Sequence, residues 1–207
     1  MSIVTYNNRS IANVSAVPGA AKSLTHIKTL TASSSGTLSF VHGSSSVVLD
    51  STYPIYLFKF INCHPSANAD FVFNASADTG SNYNVTKTTS FFHNQVNEAG
   101  NYHNLAIQTG NDVAQGTGVA TLSRKIATGN DDATSGEMYL FNPASTTFVK
   151  HFMANCNHYS NDNQSIQNLV AGYCNTTSAI NAIQFKMDTG GSASNTDSGD
   201  ICLYGIS

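Results

Sequence analysis

The feature that most limits what this chain can fold into is a two-residue alternation of apolar and polar side chains, broken by turn residues at short intervals. Successive side chains of a strand point to opposite faces, so this period suits a half-buried strand and not a helix. Residues 23–32, SLTHIKTLTA, set Leu24, His26, Lys28 and Leu30 against Thr25, Ile27, Thr29 and Thr31. Residues 36–42, GTLSFVH, follow a serine-rich turn and place Leu38 and Phe40 on one side. Residues 53–62, YPIYLFKFIN, are apolar at both parities, which is the pattern of a strand covered on two sides. Pro54 cannot donate a ladder hydrogen bond, so it belongs at the start or the edge of that strand.

Residues 69–76 put Phe71 and Phe73 on one face, and residues 82–94 are rich in β-branched and aromatic side chains. The middle of the chain carries Gly100, Gly110, Gly116, Gly118 and Gly129 among several asparagines. It predicts short strands near 101–108 and 119–126. The loops of 95–135 are expected to face outward or toward neighbouring subunits. Alternation returns at 136–143, 147–155, 167–175, 180–188 and 199–206, with 188–199 reading as a hairpin-type loop. About ten short strands without a helical period predict an all-β, antiparallel β-sandwich, jelly-roll-like in type. The sandwich spans 23–207 and an extended N-terminal arm spans 1–22.

The arm includes YNNRSIANVSAVPG, residues 6–19, with apolar side chains spaced through Asn and Ser. A purely solvated tail does not need these. An extended segment can add to a partner's sheet edge while its side chains fill pockets. Ile3, Val4, Tyr6, Ile11 and Val14 are the candidate anchors, and Arg9 is a candidate partner for a carboxylate. Pro18-Gly19 punctuates the junction with the sandwich.

Composition narrows the partners. Charged residues are 10% of the chain, against about 25% in an ordinary soluble domain. Such weak charge gives little protection against association, so a homo-oligomer or a dense assembly is expected. The net charge is -3, and Arg124-Lys125 is the one adjacent basic pair. No cationic stripe is available to displace phosphate counterions, which argues against nucleic acid. No run is apolar enough to cross a bilayer, and the N-terminus lacks a signal peptide's basic and apolar regions. Folding in a cytoplasm is therefore expected, with Cys63, Cys156, Cys174 and Cys202 as buried free thiols.

At residues 140–152 (LFNPASTTFVKHF), 172–187 (GYCNTTSAINAIQFKM) and 198–206 (SGDICLYGI), the chain resembles a family of virion structural proteins in tailed bacteriophages, notably marine ones. Residues 51–73 (STYPIYLFKFINCHPSANADFVF), TASSSGTLSF and DVAQGTG carry the same resemblance, which covers roughly residues 23–206. The resemblance implies a virion component, assembled in the host cytoplasm, with a capsid-decoration or fibre-like role. By analogy with other phage surface proteins it favours a cyclic homo-oligomer, a trimer, in contact with major capsid protein or other virion proteins.

Cys63-His64 and Cys156/His158 have zinc-ligand types, but neighbouring strand residues face apart, and the second pair shares a face only if its strand runs past Asn155. The acidic loops at 129–137 and 195–200 lack any recognised calcium spacing. No nucleophile elbow or paired glycosidase carboxylates appear, so neither an enzyme nor a cofactor is expected. Tyr83, Tyr102, His103 and Tyr159 lie in Asn-rich stretches. Their rings could stack on sugar or serve as subunit contacts, so glycan is a second candidate partner.

Overall fold

The computed structural model describes residues 24–160, 162–190 and 194–207. The arm and its candidate anchors, Ile3, Val4, Tyr6, Arg9, Ile11 and Val14, lie outside the described residues.

The described chain is all-β and antiparallel. Its strands are β1 (Leu24–Thr31), β2 (Leu38–Val41), β3 (Ile55–Pro65), β4 (Ala69–Ser76), β5 (Lys87–Asn97), β6 (His103–Ile107), β7 (Ala120–Ile126), β8 (Thr134–Phe141), β9 (Lys150–Ser160), β10 (Gln164–Cys174), β11 (Ala182–Asp188) and β12 (Thr196–Ile206). A single 3-10 turn covers Thr109–Asn111. All twelve strands belong to one nearly closed, barrel-like sheet.

The pairing is nested from the ends of the chain inward. The first strand pairs with the last, β2 with β11, β3 with β8 and β4 with β7. Two rows result, β1-β12-β3-β8 and β2-β11-β4-β7. The first row continues through β9, β10, β5 and β6. The rows join at one corner, where Ile126 of β7 pairs with Ser160 of β9.

Aromatic rings fill the space between the rows. Phe185 on β11 lies 5.2 Å from Phe58 and 5.1 Å from Phe60 on β3, centroid to centroid. Phe60 meets Phe71 on β4 at 5.0 Å, and Phe73 meets Phe152 on β9 at 4.9 Å. These edge-on contacts suit the ring quadrupole, and each buried ring removes a large apolar area from water. Phe40, Phe58, Phe71, Phe73, Phe152 and Phe185 are all essentially inaccessible.

Several sequence expectations are revised. Twelve strands form among the described residues, where about ten are expected from the sequence. Residues 82–86 precede β5 and are not strand. Residues 188–199 are not a hairpin loop, because β11 sits in one row and β12 in the other. The connection crosses between rows, so NTDSGD falls largely within β12. Strand β7 falls where a short strand near 119–126 is expected, and its Ala120, Thr121, Leu122 and Ser123 are buried. Two-sided cover of β3 holds for Tyr56, Leu57 and Phe58, whereas Lys59 and Ile61 on the same strand are exposed. Strand β9 runs past Asn155, so Cys156 and His158 do share the buried face. The four cysteines are buried and free.

Candidate functional site

The four strands that prolong the first row, β9, β10, β5 and β6, have an unusual distribution of polarity. Their inner face carries Lys150, His158, Asn168, Lys87, Thr89 and His93, all buried. Their outer face exposes Phe92 at 39%, Met153 at 56%, Leu105 at 71% and Ile107 at 72%. The register explains the outer patch. Phe92 stands opposite Ile107 on one side and Leu169 on the other, and Met153 stands opposite Tyr139. Phe148, in the β8–β9 connection, is also exposed, at 68%. Isolated exposed apolar residues are ordinary, but a patch running across several strands marks a contact surface.

The inner face shows how buried polarity is accommodated. Lys87, Cys174 and Lys150 stand side by side in register on β5, β10 and β9. Lys87 Nζ donates to Gly118 O at 2.6 Å, and Lys150 Nζ donates to Ser178 O at 2.6 Å and Thr176 O at 3.1 Å. Burial pushes the Lys87 ammonium down to about 8 and lowers Lys150 too. Burial also drives the Cys174 thiol up to about 11, against the pull of both lysines. The lysines therefore act as pins for loop carbonyls, and the thiol is unreactive because its thiolate is disfavoured.

Toward the other end of these strands, His93 and His158 flank Asn168. His158 Nδ1 lies 3.1 Å from Asn168 Nδ2. His93 Nε2 is approached by Asn104 Nδ2 at 3.3 Å and Gln108 Nε2 at 3.2 Å. Two amide donors at that nitrogen make it an acceptor, which sets His93 as a neutral imidazole. Burial lowers the basicity of His93, and the cations Arg124 and Lys125 lower it further. Burial pushes His158 down to about 4.

Next to His93 is a cleft of about 270 Å³ between β5, β6, β7 and the β9–β10 turn. Arg124, Lys125, Tyr102, Gln95, Asn104 and Gln108 are among its lining residues. Gln95 Nε2 donates to the Tyr102 hydroxyl at 2.7 Å and holds the ring. A larger groove of about 530 Å³ crosses the outer face beside Asn94, Asn155, Asn157 and Gln167, but no aromatic side chain lines it.

The sequence-derived candidates divide between the two ends of β5. Tyr83 lies before the start of β5, with its hydroxyl beside Gly80. Tyr102 and His103 sit at the far end, at the β5–β6 turn, where His103 Nε2 lies 3.3 Å from Gly100 O. Tyr159 is near the end of β9, its hydroxyl donating to Asn163 Oδ1 at 2.8 Å. The neighbouring turns are tied together by Glu98 N donating to Asn163 O at 3.0 Å. Of these four, Tyr102 lines the cleft. Arg124, Gln95, Asn104 and Gln108 were not singled out as site residues in the sequence. The adjacent Arg124-Lys125 pair is the sequence signal that points to this cleft.

The acidic stretch at 129–137 closes on itself. Gly129 N donates to Asp132 Oδ2 at 2.7 Å, and Asp132 is buried. Among the described residues no three His, Cys, Asp or Glu side chains group as metal ligands. No described helix is long and apolar enough to cross a membrane. No family model, curated protein or solved structure matches the chain.

Proposed function

We propose that this chain is a bacteriophage virion structural protein, a decoration or cement protein of the capsid surface built on a jelly-roll sandwich. The nested pairing of β1 with β12, β2 with β11, β3 with β8 and β4 with β7 supports the jelly-roll reading. The observation that carries the functional reading is the uncovered apolar patch, Phe92, Leu105, Ile107 and Met153, on the outer face of the β9-β10-β5-β6 extension. In a protein with only 10% charged residues, this face is the natural site of a homo-oligomer contact. A trimer is the proposed state, with the arm of residues 1–22 docking on major capsid protein. Binding to the assembled shell and not to free subunits would stabilise the shell by mass action, without cofactor or turnover.

Gold-labelled antibody on intact particles tests the placement. Label spread over the head is the expected result, and label confined to the tail rejects decoration. Removing residues 2–19 should abolish particle binding and leave a folded oligomer. Truncated protein that still decorates heads would rule out the anchor.

The cleft that Tyr102 lines favours a second reading, a tail-fibre or tail-tip protein that recognises host surface glycans. An aromatic face beside several amide side chains is the usual composition of a sugar site.

A further inference from the structure

We propose that the cleft between β5, β6, β7 and the β9–β10 turn takes an acidic saccharide, with its carboxylate against Arg124 and Lys125 and a sugar face against Tyr102. This rests on the glycan reading and adds the chemical class of sugar.

Charge is the first reason. Arg124 is half-buried on β7 and forms no ion pair among the described residues. Its guanidinium donates to Gln108 Oε1, which holds it in one orientation and leaves most of its five donors available. Lys125 adds a second cation, and its backbone N–H donates to Asp70 Oδ1 at 2.8 Å. Asp162 is the one carboxylate in the lining, and Asp70, outside it, is the carboxylate that feels both cations. The depressed basicity of His93, caused first by burial and then by Arg124 and Lys125, reports the same positive field. A planar, preoriented guanidinium matches a carboxylate in bidentate geometry.

The second reason is the neutral wall. His93 accepts from the Asn104 and Gln108 amide nitrogens, so the Asn104 carbonyl oxygen remains an acceptor for a hydroxyl. Gln95 pins Tyr102 through the phenol oxygen, which keeps the ring at the rim with 42% of its surface exposed. A bare anion needs neither the ring nor the amides. At about 270 Å³ the cleft is smaller than the roughly 300–1,000 Å³ typical of drug-sized ligands, which suits a single sugar residue of a chain.

The test is calorimetric titration of the intact protein with tetragalacturonate and with sialyllactose. The carboxyl-reduced form of each and inorganic sulfate serve as controls. At least one acidic sugar should bind at least about tenfold tighter than its reduced counterpart, as expected for loss of a charged hydrogen-bonded contact. Arg124→Gln should remove that preference, and Tyr102→Ala should weaken sugar binding. Lys125→Gln, at an exposed side chain, serves as the second charge variant if Arg124→Gln does not fold. Equal binding of acidic and reduced sugars would overturn the acidic assignment and leave the glycan reading standing. Binding of neither would overturn both. Sulfate binding as tightly as sugar, with no effect of Tyr102→Ala, would make the cleft an anion site and overturn the saccharide.

Discussion

The two halves of this molecule differ in how much polarity they bury. In the eight paired strands of the two rows, apolar side chains point inward, and Phe185 touches rings from β2, β3 and β4. In the four-strand extension, two lysines, two histidines and an asparagine are buried beside Phe91, Phe152, Ile166 and Val170, while Phe92, Leu105, Ile107 and Met153 face solvent. The first arrangement is what stability alone selects, since each buried ring adds transfer free energy and dispersion contacts. The second costs stability on both faces. Buried polar groups must be paired, and His93 Nδ1, His158 Nε2 and Asn168 Oδ1 have no hydrogen-bond partner. Elements that break the inside-outside rule on both faces are where function is to be sought.

This contrast predicts a graded set of outcomes. The largest effect falls in the body. Phe185→Ala should cost about 3–5 kcal/mol in denaturant unfolding, the range for deleting a buried ring. A cost under about 1 kcal/mol would mean that the rows are not held together by this cluster. The next effect is acid sensitivity from the extension. His158 titrates near 4 when folded and near 6.5 when unfolded, so the unfolded chain binds the extra proton between these values. Stability should therefore fall as pH drops from about 6.5 to 4, by on the order of 3 kcal/mol from this residue. His158→Phe should flatten that part of the pH profile, and an unchanged profile would rule out His158 as its source.

The smallest effect on folding belongs to the outer face. Leu105→Asn with Ile107→Asn should change the unfolding stability of the isolated monomer by no more than about 0.5 kcal/mol per site, because both side chains are in water in the single chain. The same pair should shift sedimentation toward monomer. An oligomer that survives the double substitution would place the subunit contact elsewhere.

Much of the strand pattern was legible because alternation is a local property. Residues 69–76 were read with the bounds that β4 adopts, and β11, β7 and β1 fall within a residue or two of their expected limits. The break between β9 and β10 is harder to see. HYSNDNQS is polar throughout, so nothing in composition separates the end of β9 from the start of β10. The cleft was legible only in fragments. Tyr102 stands out as an aromatic in an Asn-rich stretch, whereas Arg124 lies on β7 about twenty residues away, and their place in one cleft depends on long-range pairing.

Sequence alone determined the class of structure, because the two-residue period, the turn residues and the absence of a helical period depend only on neighbours along the chain. It also determined the weak charge and the burial of all four cysteines, which follows from their apolar settings. Only the tertiary structure decided which parity of each strand faces inward. Leu105 and Ile107 alternate like core residues, yet they are exposed because no second row covers the outer face of β6. Lys87, His93 and Lys150 alternate like surface residues, yet they are buried. Parity is set by what packs against a face, and that is fixed by strands far apart in sequence.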